Sequence, residues 1–314
     1  MDTPEEFGKY HLLERIATGG MAEVFRARQH GMAGFEKIVV IKKVLAQLAR
    51  DEEFLRLFVD EARILTKLQH VNIVQVFELG EVEGNYFIAM EHVHGLDLAR
   101  LISRSRNLGT FPIALALFVT CEVLKAQNFA HSRLDEDGKH LQIVHCDISP
   151  QNVLISYAGE VKLTDFGISR AAFQSEASHQ VIRGKYAYMA PEQVEGRPLD
   201  GRTDQFALAI VLFEALTGRR LFKSKSRDET LARVRRAEVP SPRGYRPEIS
   251  EDLEDIILKA LSRNADDRYP TAGDMLEDLS ALMVREGHRA TNNDLAAFLT
   301  EVIDSTNAAI RGPA

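Results

Sequence analysis

Cysteine is nearly absent from this chain. Two in 314 residues, Cys121 and Cys146, are too few for a disulfide framework and suit a reducing cytosol. A basic surplus is also missing: Lys and Arg number 39 against 46 Asp and Glu, a formal net charge of −7. That balance excludes a bulk electrostatic grip on nucleic acid or anionic lipid. No long apolar run occurs. The most apolar stretch, 111–124, is too short to span a bilayer and reads as a buried helix. Residues 1–10 have neither a basic start nor an apolar core, so no signal peptide is expected there, and no membrane anchor in this chain. Internal repeats and low-complexity tracts are lacking too. What remains is an ordinary globular composition, long enough for one large domain or two lobes around one cleft.

Apolar runs come first. Tyr10–Ile16 and Glu23–Ala27 flank a glycine pair, Gly19-Gly20, and read as two strands joined by a tight turn. Ile38-Val39-Val40-Ile41-Lys42 is a β-branched third strand, on which two-residue alternation puts Val40 and Lys42 on one face and Lys43, a solvated lysine, on the other. From Asp51 to Leu68 the residues Phe54, Leu57, Phe58, Ala62, Ile64 and Leu65 recur at helical spacing. Residues 73–79 and 86–92 read as two more strands. Five strands and one helix make a small unit of about ninety residues. After His94-Gly95 the pattern turns helical, over 112–131, 203–217, 228–236, 251–262 and 271–285. Asp137-Gly138 predicts a small hairpin between the long helix and the stretch that follows.

That stretch runs Ile143-Val144-His145-Cys146-Asp147-Ile148-Ser149-Pro150-Gln151-Asn152-Val153-Leu154-Ile155. Two strand-like apolar runs flank a polar turn holding one carboxylate and one carboxamide, and Thr164-Asp165-Phe166-Gly167 adds a second carboxylate. The set suits phosphoryl transfer: an Asp to take a hydroxyl proton, and an Asn plus an Asp to hold magnesium against phosphate oxygens. The spacing H-x-D-x-x-x-x-N followed by D-F-G resembles the protein-kinase signature. Met189-Ala190-Pro191-Glu192 matches A-P-E. Asp204 and Arg268 stand where that family anchors the catalytic loop and pairs the A-P-E glutamate. Together these motifs cover about residues 8–285. The glycine loop and the His-x-Asp-Ile-Ser-Pro-Gln-Asn run resemble bacterial Hanks-type serine/threonine kinases, myxobacterial members among them.

The resemblance implies an α+β bilobal kinase fold: a five-stranded small lobe over 1–92, a helical lobe over 93–286, and an extra helix with tail over 287–314. It implies ATP and Mg2+ as cofactors, protein substrates and a cytoplasmic setting. Asp147 would be the base, and Asn152 and Asp165 the magnesium ligands. Lys42 would hold the α/β-phosphates and pair with Glu61 on the helix, Asp60 being its rival. Around the nucleotide it would set Ile16, Ala17, Thr18, Gly19, Gly20, Met21, Val24, Val40, Leu154, the gatekeeper Met90 and the hinge residues Glu91 and Val93. Asp97 would bind the ribose hydroxyls; a helix cap is its other reading. Only the middle glycine of the family's loop, Gly19, is kept, which should stiffen the lid; Val40 in place of alanine should tighten the adenine pocket.

Three departures matter. Cys146 replaces the arginine that gathers an activation-loop phosphate, which predicts independence from that phosphorylation. As a small residue there it is expected to fill space, with a redox role the alternative. Ser149 and Lys185 have exchanged the family's lysine and threonine, so Lys185 is expected to supply the cation near Asp147. Two other functions stay open on sequence: a nucleotide-binding pseudokinase scaffold and an aminoglycoside-type small-molecule kinase, the latter opposed by Ala190-Pro191-Glu192 and Arg268. Finally, Thr291-Asn-Asn-Asp294 predicts a capped helix carrying Leu295, Phe298, Leu299, Val302 and Ile303. Its apolar stripe should pack on the large lobe; a dimer or docking contact is the alternative.

Overall fold

The computed structural model describes residues 5–31, 34–166 and 186–311. These form two compact units. The first runs to Val93, and the second comprises His94–Phe166 and the described chain from Tyr186 onward.

The first unit is a six-stranded antiparallel sheet in the order β1-β2-β3-β4-β6-β5. Its strands are β1 Glu5–Phe7, β2 Tyr10–Thr18, β3 Ala22–His30, β4 Glu36–Val44, β5 Val76–Val82 and β6 Asn85–Glu91. One strand more is present than the sequence predicts. β1 lies in the acidic start and is fixed by a single aromatic: Phe7 meets Phe87 edge-on at 5.2 Å. The core face gathers Phe7, Tyr10, Leu12, Ala27, Val39, Ile41, Phe87 and Ala89. Lys43 lies on that side too, its ammonium 5.3 Å from the Phe7 ring centroid, so it is not simply solvated. Helix α1, Glu52–Leu65, starts where the Asp51 carboxylate accepts the Phe54 N–H at 3.0 Å, and it buries Phe54, Phe58, Ala62 and Leu65.

The second unit holds a three-stranded sheet, β7 Gly95–Asp97, β8 Val153–Ser156 and β9 Val161–Leu163, in that order. β7 can approach β8 only because residue 95 is glycine: a Cβ there would lie 1.9 Å from the Ile155 carbonyl oxygen. The helices are α2 Leu98–Ser105, α3 Ile113–His131, α4 Pro191–Val194, α5 Gly201–Thr217, α6 Arg227–Arg236, α7 Glu251–Ala260, α8 Ala272–Arg285 and α9 Asn292–Arg311. β7 and β9 were not predicted, being too short to show a period, and α2 was foreseen only as the helix that Asp97 would cap. By length and composition α3 could cross a membrane, which the shorter run read from sequence could not. Its buried residues lie all round the helix, from Leu115 to Ala130, as in a core helix.

The hairpin at Asp137-Gly138 is present, closed by an antiparallel bridge between Leu134 and His140 and by Gly138 at φ 79°. The capping box ahead of α9 is present as well. Asp294 accepts the Thr291 N–H at 2.8 Å, and Thr291 Oγ1 accepts the Asp294 N–H at 3.3 Å. Leu295, Leu299 and Val302 are fully buried, and the Phe298 ring sits 5.3 Å from Phe111. α9 thus packs within the second unit, its start seated over the left-handed Gly159.

Candidate active site

In the first unit the strand register decides which side chains share a face. Lys42 sits opposite Val24 and Ile88, Val40 opposite Met90, and Ala17 opposite Val24. Directly opposed residues point to the same side of a sheet. Ala17, Val24, Val40, Lys42 and Met90 therefore line one face, and the core cluster takes the other. Alternation along β4 predicts this division. Lys42 is 9% exposed. The loop Gly19-Gly20-Met21 closes the β2–β3 hairpin, with the Gly19 N–H donating to the Ala22 carbonyl at 2.9 Å, and Ile16 and Thr18 sit in β2 just before it. Met90 and Glu91 end β6, with Val93 beyond. The Glu91 N–H donates to Gln75 O at 2.8 Å, which ties the strand end to the segment before β5. Glu61 and Asp60 lie on α1, but their side chains fall outside the described residues.

In the second unit the turn around Asp147 is held from three sides. Asp204, fully buried on α5, accepts the His145 N–H at 2.7 Å and the Cys146 N–H at 2.8 Å, and meets His131 Nε2 at 2.8 Å. Gln193 donates from Nε2 to the Cys146 carbonyl at 2.9 Å. The His145 ring, also buried, accepts the Asp147 N–H on Nδ1 at 3.2 Å, which leaves Nε2 as donor to Thr164 O at 2.9 Å, and lies 4.6 Å from the Phe166 ring. These bonds explain why 143–145 is not the strand its apolar residues predict. A side chain of α5, rather than a neighbouring strand, takes the N–H groups of His145 and Cys146 at its end. Val153–Ser156, the other flank, is a strand as expected.

Asn152 completes the turn. Its Nδ2 donates to the Asp147 main-chain oxygen at 2.7 Å and to Asp147 Oδ2 at 3.0 Å. That fixes the amide so that Oδ1 is the atom left to face a cation. Cys146 and Asp165 both adopt left-handed backbone, φ 63° and 61°. For Cys146 this strain costs about 1 kcal/mol or more, met by the bonds at its N–H and carbonyl. Its buried position matches the space-filling expectation. Ser149 is buried, and its Oγ has no hydrogen-bond partner among the described residues. Asp97 caps α2, accepting the Arg100 N–H at 2.8 Å, and Leu154 on β8 sits opposite it. Lys185 and the serines 169, 175 and 178 lie outside the described residues.

A buried ion pair braces the segment behind this turn. Arg268 grips Glu192 through two bonds of 2.7 and 2.9 Å, and Thr203 adds a third to the same carboxylate at 2.9 Å. Burial alone would raise the Glu192 pKa. The Arg268 guanidinium and the Thr203 hydroxyl outweigh it and hold the carboxyl below its ordinary value. His131, Gln193 and Thr203 were not singled out from sequence. Each lies in a regular helix or beside a motif, with no spacing of its own to mark it.

An oxygen-only pair, the Asn152 carboxamide and the Asp165 carboxylate, fits magnesium, which takes one or two protein oxygens and completes its shell with water and phosphate. Residues 10–279 match the protein kinase domain family. The chain is 40% identical over 299 residues to Tyrosine-protein kinase MasK of Myxococcus xanthus, covering 94% of this chain and 46% of the relative. It is 37% identical over 273 residues to Serine/threonine-protein kinase PrkC of Bacillus subtilis, covering 87% and 40%. This chain thus spans less than half the length of either. Among solved structures, the kinase domain of Mycobacterium tuberculosis PknI superposes with a TM-score of 0.68 at 25% identity, over 90% of this chain and 98% of that one. The chain belongs to the protein kinase family and is of the bacterial Hanks type.

Proposed function

We propose that this chain transfers the γ-phosphate of magnesium-ATP to serine or threonine hydroxyls of proteins. The observation that carries the reading is the pair of hydrogen bonds donated by the Asn152 amide to Asp147, which holds one carboxylate still in a turn and leaves the amide oxygen of Asn152 free of them. Asp147 would orient and deprotonate the substrate hydroxyl. Asn152 and Asp165 would hold magnesium, whose charge offsets that of the phosphates. Lys42, paired with Glu61, would take the α/β-phosphates, and the face shared by Ala17, Val24, Val40 and Met90 would receive the adenine. The loop from Ile16 through Thr18, Gly19, Gly20 and Met21 would cover the phosphates, Glu91 and Val93 would meet the adenine edge, and Leu154 would be a further nucleotide-binding residue. For Asp97 the cap on α2 already accounts for the carboxylate, so a ribose contact would be a second duty.

Incubation with magnesium-ATP followed by phosphosite mapping tests the reading. Phosphoserine or phosphothreonine supports it; bound nucleotide with no phosphate incorporated would sink it. A tyrosine hydroxyl is the second reading, favoured by the name of the Myxococcus relative and by Ser149 standing where serine/threonine kinases carry lysine. The same map separates the two. The scaffold alternative gains no support from these relatives, which are named as kinases.

Two finer proposals concern the departures. Lys185 would replace the missing catalytic-loop lysine, and Lys185→Ala is expected to slow single-turnover phosphorylation by about tenfold to a hundredfold, with nucleotide affinity little changed. An unaltered single-turnover rate would refute it. With Cys146 in place of the phosphate-gathering arginine, activity should not depend on activation-loop phosphorylation. Replacing Ser175 and Ser178 together by alanine is expected to leave at least half the wild-type rate; loss of activity in that variant would overturn the idea.

A further inference from the structure

We propose that a cationic surface formed by Arg106, Arg219, Lys223, Lys225 and Arg227, beside the Tyr186–Tyr188 turn, selects protein substrates with acidic residues near the accepting hydroxyl. The inference rests on the kinase reading above and names its substrate class.

The chain as a whole is acidic, yet Arg219 to Arg227 carries five cations in nine residues and no carboxylate. Arg219, Arg220, Lys223, Lys225 and Arg227 are all exposed. Arg106, exposed at the end of α2, joins them by donating to the Gly218 carbonyl at 3.3 Å. Like charges gathered in this way repel, and several other arginines of the second unit are matched by carboxylates. Arg197 pairs with Glu195, Arg202 with Asp200, Arg233 with Glu229, Arg243 with Glu251 and Arg285 with Asp252. Among the described residues, none of Arg106, Arg219, Lys223, Lys225 or Arg227 has such a pair. Two carboxylates do follow, Asp228 and Glu229, but they serve the first turn of α6, and Glu229 is held by Arg233.

One carboxylate sits beneath the patch, and it is covered. Glu214, buried on α5, accepts the Tyr188 hydroxyl at 2.7 Å and Arg220 Nη1 at 2.8 Å, and Arg220 also bonds the Tyr188 hydroxyl. Burial pushes the Glu214 carboxyl up, to about 8, and its oxygens are already taken by Tyr188, Arg220 and the Leu221 N–H, so it is not open to a basic substrate. Arg220, whose own pKa is lowered by burial and by the charge of Arg106, is thus the lid on that carboxylate. The remaining cations face outward.

Their position links them to the chemistry. Arg227 lies over the Tyr186 ring, its guanidinium carbon 4.8 Å from the centroid, and Arg220 lies over Tyr188 at 5.7 Å. The Tyr186–Tyr188 turn leads within three residues to α4, whose Gln193 bonds the Cys146 carbonyl next to Asp147. On this proposal a protein segment presenting a hydroxyl to Asp147 runs past this turn, with the cations alongside. Glutamate or aspartate side chains of that segment would meet cations that form no ion pair among the described residues, whereas lysine or arginine would be repelled.

The test uses the whole chain and three peptides sharing one acceptor, flanked by glutamates, glutamines or lysines. The glutamate peptide is expected to exceed the glutamine peptide in kcat/KM by about tenfold, chiefly through KM, and the lysine peptide to fall below both. In the double variant Arg219→Glu, Lys225→Glu the preference should shrink to near unity, while Arg285→Glu, a charge change away from the patch, should retain it. A wild-type ratio at or below one, or an unchanged ratio in the double variant, overturns the proposal. Transfer to no peptide and none to the chain itself would instead sink the kinase reading. Equilibrium binding of the labelled glutamate and glutamine peptides then decides the patch separately: about tenfold tighter binding of the first, lost in the double variant, is expected, and equal binding overturns it.

Discussion

Replacing Asp147 by asparagine is expected to lower phosphate incorporation by about 10²–10⁴-fold while leaving thermal stability and nucleotide binding close to wild type. The substitution is isosteric. Asn152 Nδ2 can still donate to a side-chain oxygen at position 147, and the bonds from Asn152 to the main-chain oxygen and from the Asp147 N–H to His145 need no carboxylate. The turn should therefore keep its shape and lose only the group that accepts a proton. A rate within a factor of a few of wild type would show that Asp147 does no more than shape the loop. A large drop in melting temperature would mean that its charge is needed for folding, and the kinetic comparison would then have to move to other members of the site.

Loss of the Arg268 side chain is expected to cost about 3–5 kcal/mol of stability at neutral pH, the largest folding effect foreseen for a single residue here. The pair is buried, the side chains being 0% and 4% exposed, and Arg268→Ala would strand the Glu192 carboxylate away from water. Arg268 also bonds the Ser262, Arg202 and Arg263 carbonyls and lies over the Phe206 ring, so the deletion loosens α4, α5 and the turn before α8 together. Glu192→Gln should be milder, since the amide can still accept from Arg268 and Thr203. The pH dependence carries a sign. The folded pKa of Glu192 is depressed below its ordinary value of 4.5, so its contribution is present above pH 4.5 and is lost as pH falls through the lower folded value. In Arg268→Ala the buried carboxyl has lost its counter-ion, and burial raises its pKa. The variant's deficit should therefore be greatest at neutral pH and narrow on acidification. Denaturant melts of both proteins at several pH values would measure it; a deficit independent of pH would assign the cost to packing alone.

Much of the site could be read in advance because its chemistry is written in contiguous motifs. The spacing from His145 to Asn152 and the D-F-G run single out the carboxylates, and the two-residue period of β4 puts Val40 and Lys42 together. What escaped reading escaped for definite reasons. β1 depends on Phe7 finding Phe87, eighty residues away in sequence. The expected strand at 143–145 failed because apolar composition reports burial, whereas a strand needs a partner. Here the partner is the Asp204 carboxylate, brought by α5. The left-handed backbone at Cys146 has no local signal either, since cysteine has no preference for it and the bonds from Asp204 and Gln193 impose it.

By itself the sequence determined the family, the identity of the proposed catalytic and metal-binding side chains, and most helices and strands, because these rest on residue type, spacing and period. Only the tertiary structure decided how Asp147 is held, which carboxylates are matched by arginines, and that Arg106, Arg219, Lys223, Lys225 and Arg227 have no ion pair among the described residues, while Arg220 covers Glu214. A charge run reads the same in sequence whether it is neutralised or not. Its partners lie far along the chain, and only folding brings them near or leaves them out.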